Sequence, residues 1–273
     1  MYEHHWNLER RPFDCGCEAA DYVAVAPHEA ALLKLEYLVE ADKGCGALAG
    51  PSGAGKTFLT HVLERRLGDR TGPFARVLYP RMDAAGLVQQ IAARLGVSQA
   101  DLDGAGLNTS VELLRRRLGE LARVDQSPVI VVDDAHLIES SEPWHCLRQL
   151  MNLRDGEGVS LTLLLVGQPS MLGRLREYPD FYDRAGVKVS LAPLEPEEVG
   201  RYVAGRLRLA GVEDGVLDAD AYEAIGRLSR GLPRAVNQIA DLSLLVGYAD
   251  GLPMLQREQV EAAAGELRVA TAD

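Results

Sequence analysis

Cys45-Gly46-Ala47-Leu48-Ala49 followed by Gly50-Pro51-Ser52-Gly53-Ala54-Gly55-Lys56-Thr57 decides the fold of this 273-residue chain. The first five residues form an apolar run too short for a helix, which predicts a buried strand. The next eight match G-x-x-x-x-G-K-[ST], the phosphate-binding P-loop pattern. Glycines let backbone N–H groups turn inward around phosphate oxygens, and a following helix presents its positive end to the same anion. A helix is predicted over about 56–67, so the motif lies between a strand and a helix, as its mechanism requires. Lys56 is expected to reach the β- and γ-phosphates and Thr57 to hold magnesium. The nucleotide-contact set is Gly50 through Thr57 together with the next residue, Phe58.

Working outward, the second element is Val129-Ile130-Val131-Val132-Asp133-Asp134, four apolar residues ending in two carboxylates. Open α/β sheets bind ligands at the carboxyl ends of their strands. Asp133 is therefore assigned to the magnesium shell and Asp134 to polarising the attacking water, although acidic residues after a strand can also cap the next helix. Gln168 follows the predicted strand 161–166, where it can touch the γ-phosphate or position water. Arg184 precedes the last predicted strand, 187–191. Arg234 opens a predicted helix, where a cation opposes the helix dipole unless an anion lies nearby.

Between these points strands and helices alternate: strand 75–79, helix 84–95, a polar connection 97–108, and helices 109–123, 143–154 and 169–176. A helix is also predicted from Pro27 to the stop at Gly44. Continuous apolar strands alternating with helices predict a parallel sheet covered on both faces. Past Pro193 the strands cease, and helices are expected at 196–210, 218–229, 234–248 and 256–267. The expected organisation is an N-terminal arm and helix (1–43, irregular up to 26), a P-loop core domain (44–192) and a helical lid domain (193–273).

The net charge of -11 does not fit a free-standing nucleic-acid binder, which carries a basic footprint. Nucleic acid is thus not the expected partner. The triplet Arg115-Arg116-Arg117 reads as a solvated helix face. No apolar run approaches the roughly 18 residues that span a bilayer, and Met1 to Trp6 lacks a signal-peptide pattern, so a cytoplasmic protein with reduced thiols is expected. Cys45 reads as a small core residue. Cys15-Gly16-Cys17 lacks a second ligand pair at zinc spacing.

Taken in order, these motifs resemble an AAA+ ATPase, and more closely the ExeA/GspA-type secretion ATPases. The residues carrying the resemblance include Pro12-Phe13, His28-Glu29-Ala30, Gly50 to Thr57, Asp133-Asp134-Ala135-His136, Leu165-Val166-Gly167-Gln168-Pro169, Arg184, Arg206-Leu207 and Gly231-Leu232-Pro233-Arg234 with Asn237. The resemblance covers nearly the whole chain. It implies ATP with magnesium, a homo-oligomeric motor or switch, and a protein client in secretion or envelope assembly. It further implies Gln168 as sensor one, Arg184 as an arginine finger acting on a neighbouring subunit, Arg234 as sensor two, and Phe13 near the adenine. The family usually has Asp-Glu where this chain has Asp133-Asp134. The shorter side chain implies slow turnover, since misplacing a catalytic group by about 1 Å can cost around 10²-fold. Transposition regulators of the TniB/TnsC type share this core, so a nucleotide-dependent DNA-bound adaptor is the alternative function.

Overall fold

The computed structural model describes residues 1–14, Gly16, 19–157 and 159–270. Cys15 and Cys17 lie outside the described residues. The chain packs as two compact units. One comprises Ala30–Pro51 and Leu59–Leu191. The other comprises Met1–Glu29, Ser52–Phe58 and Ala192–Asp273.

The first unit is built on a five-stranded, all-parallel sheet of β1 (Cys45–Ala49), β2 (Phe74–Val77), β3 (Val129–Val132), β4 (Thr162–Gly167) and β5 (Ala185–Ser190). Their spatial order is β2-β3-β4-β1-β5. β4 therefore lies between the strand that leads into the phosphate loop and the strand that ends at Asp133. α1 (Ala26–Glu40) precedes β1; parallel neighbours need crossovers, and helices supply them: α2 (Lys56–Leu67) between β1 and β2, α3 (Ala84–Arg94), α4 (Gln99–Leu102) and α5 (Leu107–Ala122) between β2 and β3, α6 (Ser141–Glu157) between β3 and β4, and α7 (Ser170–Arg176) and α8 (Pro179–Arg184) between β4 and β5.

Alternate strand residues feed two apolar layers. Ala47, Val77, Ile130 and Leu163 pack in one cluster with Ile91, Leu114 and Leu147 of α3, α5 and α6. Leu48, Val131 and Leu164, pointing the other way, are equally buried. On the β2 edge, the Arg76 guanidinium donates to the Thr60 carbonyl (2.9 Å) and to Glu64 (2.6 Å) of α2. Trp144, fully buried, stacks on Tyr178 and meets Phe181 edge-on, fastening α6 to α8.

Two short helices, α4 and α8, are absent from the sequence-based assignment. α4 is four residues long, below the length at which a helical period is visible, and starts on a Ser98 cap. α8 is a six-residue helix started by Pro179. Two arginines of the basic triplet on α5 are engaged locally: Arg115 grips Glu112 through two 2.8 Å bonds, and Arg117 donates to Glu120 and to the Leu95 carbonyl.

The second unit holds α9 (Pro196–Leu209), α10 (Ala219–Ser229), α11 (Pro233–Ala249) and α12 (Arg257–Ala270). Its core is shared with the N-terminal arm. Tyr2, Trp6, Leu8 and Phe13 are buried in the same cluster as Val203, Ile225 and Val236. Trp6 donates its indole N–H to the Leu244 carbonyl (3.0 Å), and the Tyr2 hydroxyl donates to Asp241. Arg206, 6% exposed, spends its guanidinium on three arm carbonyls: Pro12 (2.5 Å), Asp14 (3.1 Å) and Asp21 (3.1 Å). Arg is suited to this because its donors form a rigid fork. Residues of the arm are thus a built part of this unit's core.

Candidate functional site

The phosphate loop is shaped by backbone conformations that L-residues avoid. Gly53 and Gly55 have φ of +79° and +90°. Positive φ is the conformation by which successive backbone N–H groups can be turned toward one anion, and α2 begins directly after these glycines with Lys56 and Thr57. Lys56 is largely buried. In the unit that holds Ser52–Phe58, two further residues lie against the loop. Arg234, the second residue of α11, donates its backbone N–H to the Gly53 carbonyl (3.1 Å) and is otherwise exposed. A cation at a helix start is unfavourable unless an anion lies nearby.

His28 is the other. It is 3% exposed, and its ring is hydrogen-bonded to the backbone of Ala54, while Nε2 has no hydrogen-bond partner among the described residues. Burial pushes its pKa below the usual histidine range, against weaker opposing pulls from that hydrogen bond and from the Glu198 and Glu29 carboxylates. The neutral ring keeps an uncompensated positive charge out of the interior. His28 and its contact were not assigned from sequence. The signal was its place in the first turn of the first helix, but nothing in one dimension links residue 28 to residue 54. Phe13, 2% exposed, lies in the apolar cluster of this unit, and Phe58 meets the Tyr22 ring at a centroid distance of 6.1 Å.

The sheet unit brings together the strand-end residues. Gly50 donates to the carbonyl of Gly167 at the end of β4 (3.1 Å), and Leu191 donates to Ala49 (2.7 Å), so the start of the phosphate loop is anchored by both neighbours of β1. Asp133 is 5% exposed and its N–H donates to Val77, continuing the β3 ladder by one residue. Its Oδ1 accepts the Asp134 N–H at 2.8 Å. Asp134 then adopts a left-handed conformation (φ +47°, ψ +34°), which ends the strand and starts a 3-10 turn over Ala135–Leu137. Asp is among the few side chains that accept this conformation without large cost. The consequence is a division between two adjacent carboxylates: Asp133 is buried and oriented, whereas the Asp134 side chain is 52% exposed. Gln168, directly after β4, is exposed, and its N–H points to Nδ1 of His136 at 3.4 Å.

Arg184 closes α8 on the surface and donates to the Asn152 side chain at 2.9 Å. Neighbouring Asp180 faces Arg148 (3.5 Å). Burial raises the thiol pKa of Cys45 to about 12, in keeping with an inert core residue.

A phosphate loop on β1, a buried Asp ending β3, and a polar residue on the strand between them define a P-loop nucleotide-binding protein with the AAA+ sheet and a following helical region. The chain belongs to the AAA domain family, whose profile matches residues 39–175, about half of its length. It is 29% identical over 270 residues to general secretion pathway protein A of Aeromonas hydrophila, covering 98% of this chain and 48% of that protein. The chain thus spans about half the length of this relative. Among solved structures, the ORC2 protein of Aeropyrum pernix superposes with a TM-score of 0.75 at 20% identity, over 94% of this chain and 72% of that one. Cdc6p of Pyrobaculum aerophilum gives 0.74 at 19% identity (93% and 70%), and the Thermotoga maritima RuvB branch migration motor 0.60 at 17% (93% and 73%). At these identities the structures speak for the fold alone. Among the described residues, no helix is long and apolar enough to cross a membrane.

Proposed function

We propose that this chain binds ATP with magnesium and hydrolyses it as an oligomeric switch or motor. The observation that carries the reading is the phosphate loop with left-handed Gly53 and Gly55 and buried Lys56, in a chain whose β3 ends on the buried carboxylate of Asp133. In this reading Gly50 through Thr57 hold the phosphates, with Lys56 supplying charge. Phe58 and Phe13 flank the base. Thr57 and Asp133 are oxygen donors of the kind magnesium takes when phosphates and water complete its shell; the ion, when bound, neutralises charge on the phosphate oxygens. Asp134 orients and polarises the attacking water, Gln168 contacts the γ-phosphate, and Arg234 answers the phosphate charge from α11.

The similarity to a general secretion pathway protein over 98% of the chain supports a protein client in secretion or envelope assembly. We place this work on the cytoplasmic side, where ATP is supplied. Arg184, exposed at the end of α8, is the residue proposed to act on a neighbouring subunit's nucleotide.

The test is steady-state phosphate release alongside thermal melting. ATP with magnesium at about 100 times its dissociation constant adds roughly 2.7 kcal/mol of stability, and Lys56→Ala removes most of that shift. Asp134→Asn keeps the shift and loses turnover; Asp134→Glu, one methylene longer, raises turnover. A nucleotide-free preparation whose melting is unchanged by millimolar ATP and magnesium would overturn the binding reading. Equal turnover in all three Asp134 forms would remove that carboxylate from the chemistry.

A further inference from the structure

The 3-10 turn after β3 carries a side chain that the proposed site does not yet use. His136 lies beside the end of β4: a Cβ added at Gly167 would stand 3.2 Å from the His136 backbone nitrogen and 3.3 Å from Nδ1. The ring is nearly buried, with 12% of the side chain exposed, so its position is set by packing. One ring nitrogen has two neighbours. The Gln168 N–H lies 3.4 Å from Nδ1, and the Asp134 Oδ1 lies 3.8 Å from the same atom.

These neighbours make opposite demands. An N–H needs a lone pair on Nδ1, whereas a carboxylate needs a proton there. The Gln168 amide lies within hydrogen-bond reach and the carboxylate beyond it. An Nδ1 that accepts the Gln168 N–H carries no hydrogen to offer the Asp134 carboxylate. The imidazole thus ties the turn after β3 to the first residue after β4, while leaving the carboxylate beside it to face solvent.

We infer that His136 is a positioning residue that holds Gln168 in place relative to Asp134 by accepting the Gln168 backbone N–H at Nδ1. This rests on the hydrolysis reading above, because Gln168 and Asp134 matter together only if a water is activated between them and the γ-phosphate. Losing the acceptor frees the loop at residue 168, and displacement of a catalytic group by about 1 Å costs on the order of 10²-fold in rate.

The experiment compares His136→Leu, which keeps bulk but has no acceptor, with His136→Asn, whose amide oxygen can occupy the place of Nδ1. Three quantities are read: hydrogen exchange at the Gln168 amide, ATP affinity by titration, and kcat for phosphate release. The expected result is faster exchange in His136→Leu, unchanged ATP affinity, and a kcat lower by about 10²-fold, with His136→Asn restoring slow exchange and most of the rate. Unchanged exchange at Gln168 in His136→Leu would show that the bond is not made and overturn the inference. Faster exchange with an unchanged kcat would overturn the positioning role. If the parent protein releases no phosphate, the hydrolysis reading falls and takes the rate effect with it, while the exchange comparison still decides separately whether His136 holds Gln168.

Discussion

The two units carry the same general burden, an apolar core around functional residues, and meet it differently. In the sheet unit the core is made by neighbours in a pattern: β1, β3 and β4 are buried at every position, and the helices between them close on both faces. In the other unit the core is made by residues far apart in the chain. Trp6 reaches Leu244, Tyr2 reaches Asp241, and Arg206 gathers the carbonyls of Pro12, Asp14 and Asp21. The two arginines assigned to the proposed site repeat the contrast. Arg234 touches the Gly53 segment of its own chain, whereas Arg184 sits exposed against Asn152. Under the proposed function, the difference separates a residue that serves its own phosphate loop from one that serves another subunit's.

The largest expected effect tests that separation. Arginine fingers are worth about 10³–10⁵ in rate where measured, so Arg184→Ala should lose about 10³-fold in phosphate release. Mixed with Lys56→Ala chains, it should regain part of that activity, because an intact phosphate loop can then meet an intact finger. Arg234→Ala mixed with Lys56→Ala should regain none, since each phosphate loop then lacks one of its own partners. Recovery in both mixtures, or in neither, would erase the proposed contrast between the two arginines.

A smaller effect concerns the arm. Trp6 is 4% exposed and hydrogen-bonded, so Trp6→Ala should cost about 3–5 kcal/mol in a urea titration, comparable with Trp144→Ala in the sheet unit. If the arm were an appendage, the loss would resemble that of a surface substitution, within about 0.5 kcal/mol.

The smallest effect is one of pH. Burial holds His28 below the usual histidine range, so between its folded value and about 6.5 the unfolded chain takes up a proton that the native state refuses. Stability from this group is therefore present above about pH 6.5 and falls as the pH drops toward the folded pKa, with a slope of at most about 1.4 kcal/mol per pH unit. Denaturant titrations at successive pH values should show this slope reduced in His28→Gln. An unchanged slope would mean that other groups account for it.

What could be determined from the sequence were features whose physics is local. A run such as Val129–Val132 can only be a buried strand, a G-x-x-x-x-G-K-T turn between strand and helix has one well-understood use, and Asp133 follows from its place at the end of such a strand. The positions of Gln168 and Arg234 could be marked by the same reasoning and by resemblance. Only the tertiary structure decided what each would meet. The strand order places β4 between β1 and β3, which brings His136 to Gln168; the arm folds into a core with helices some two hundred residues away; and His28 comes to rest on Ala54. The reason is that strand order and the docking of an irregular segment depend on which surfaces remain to be covered once the local elements exist. That remainder is a property of the whole assembly and leaves no periodic trace along the chain.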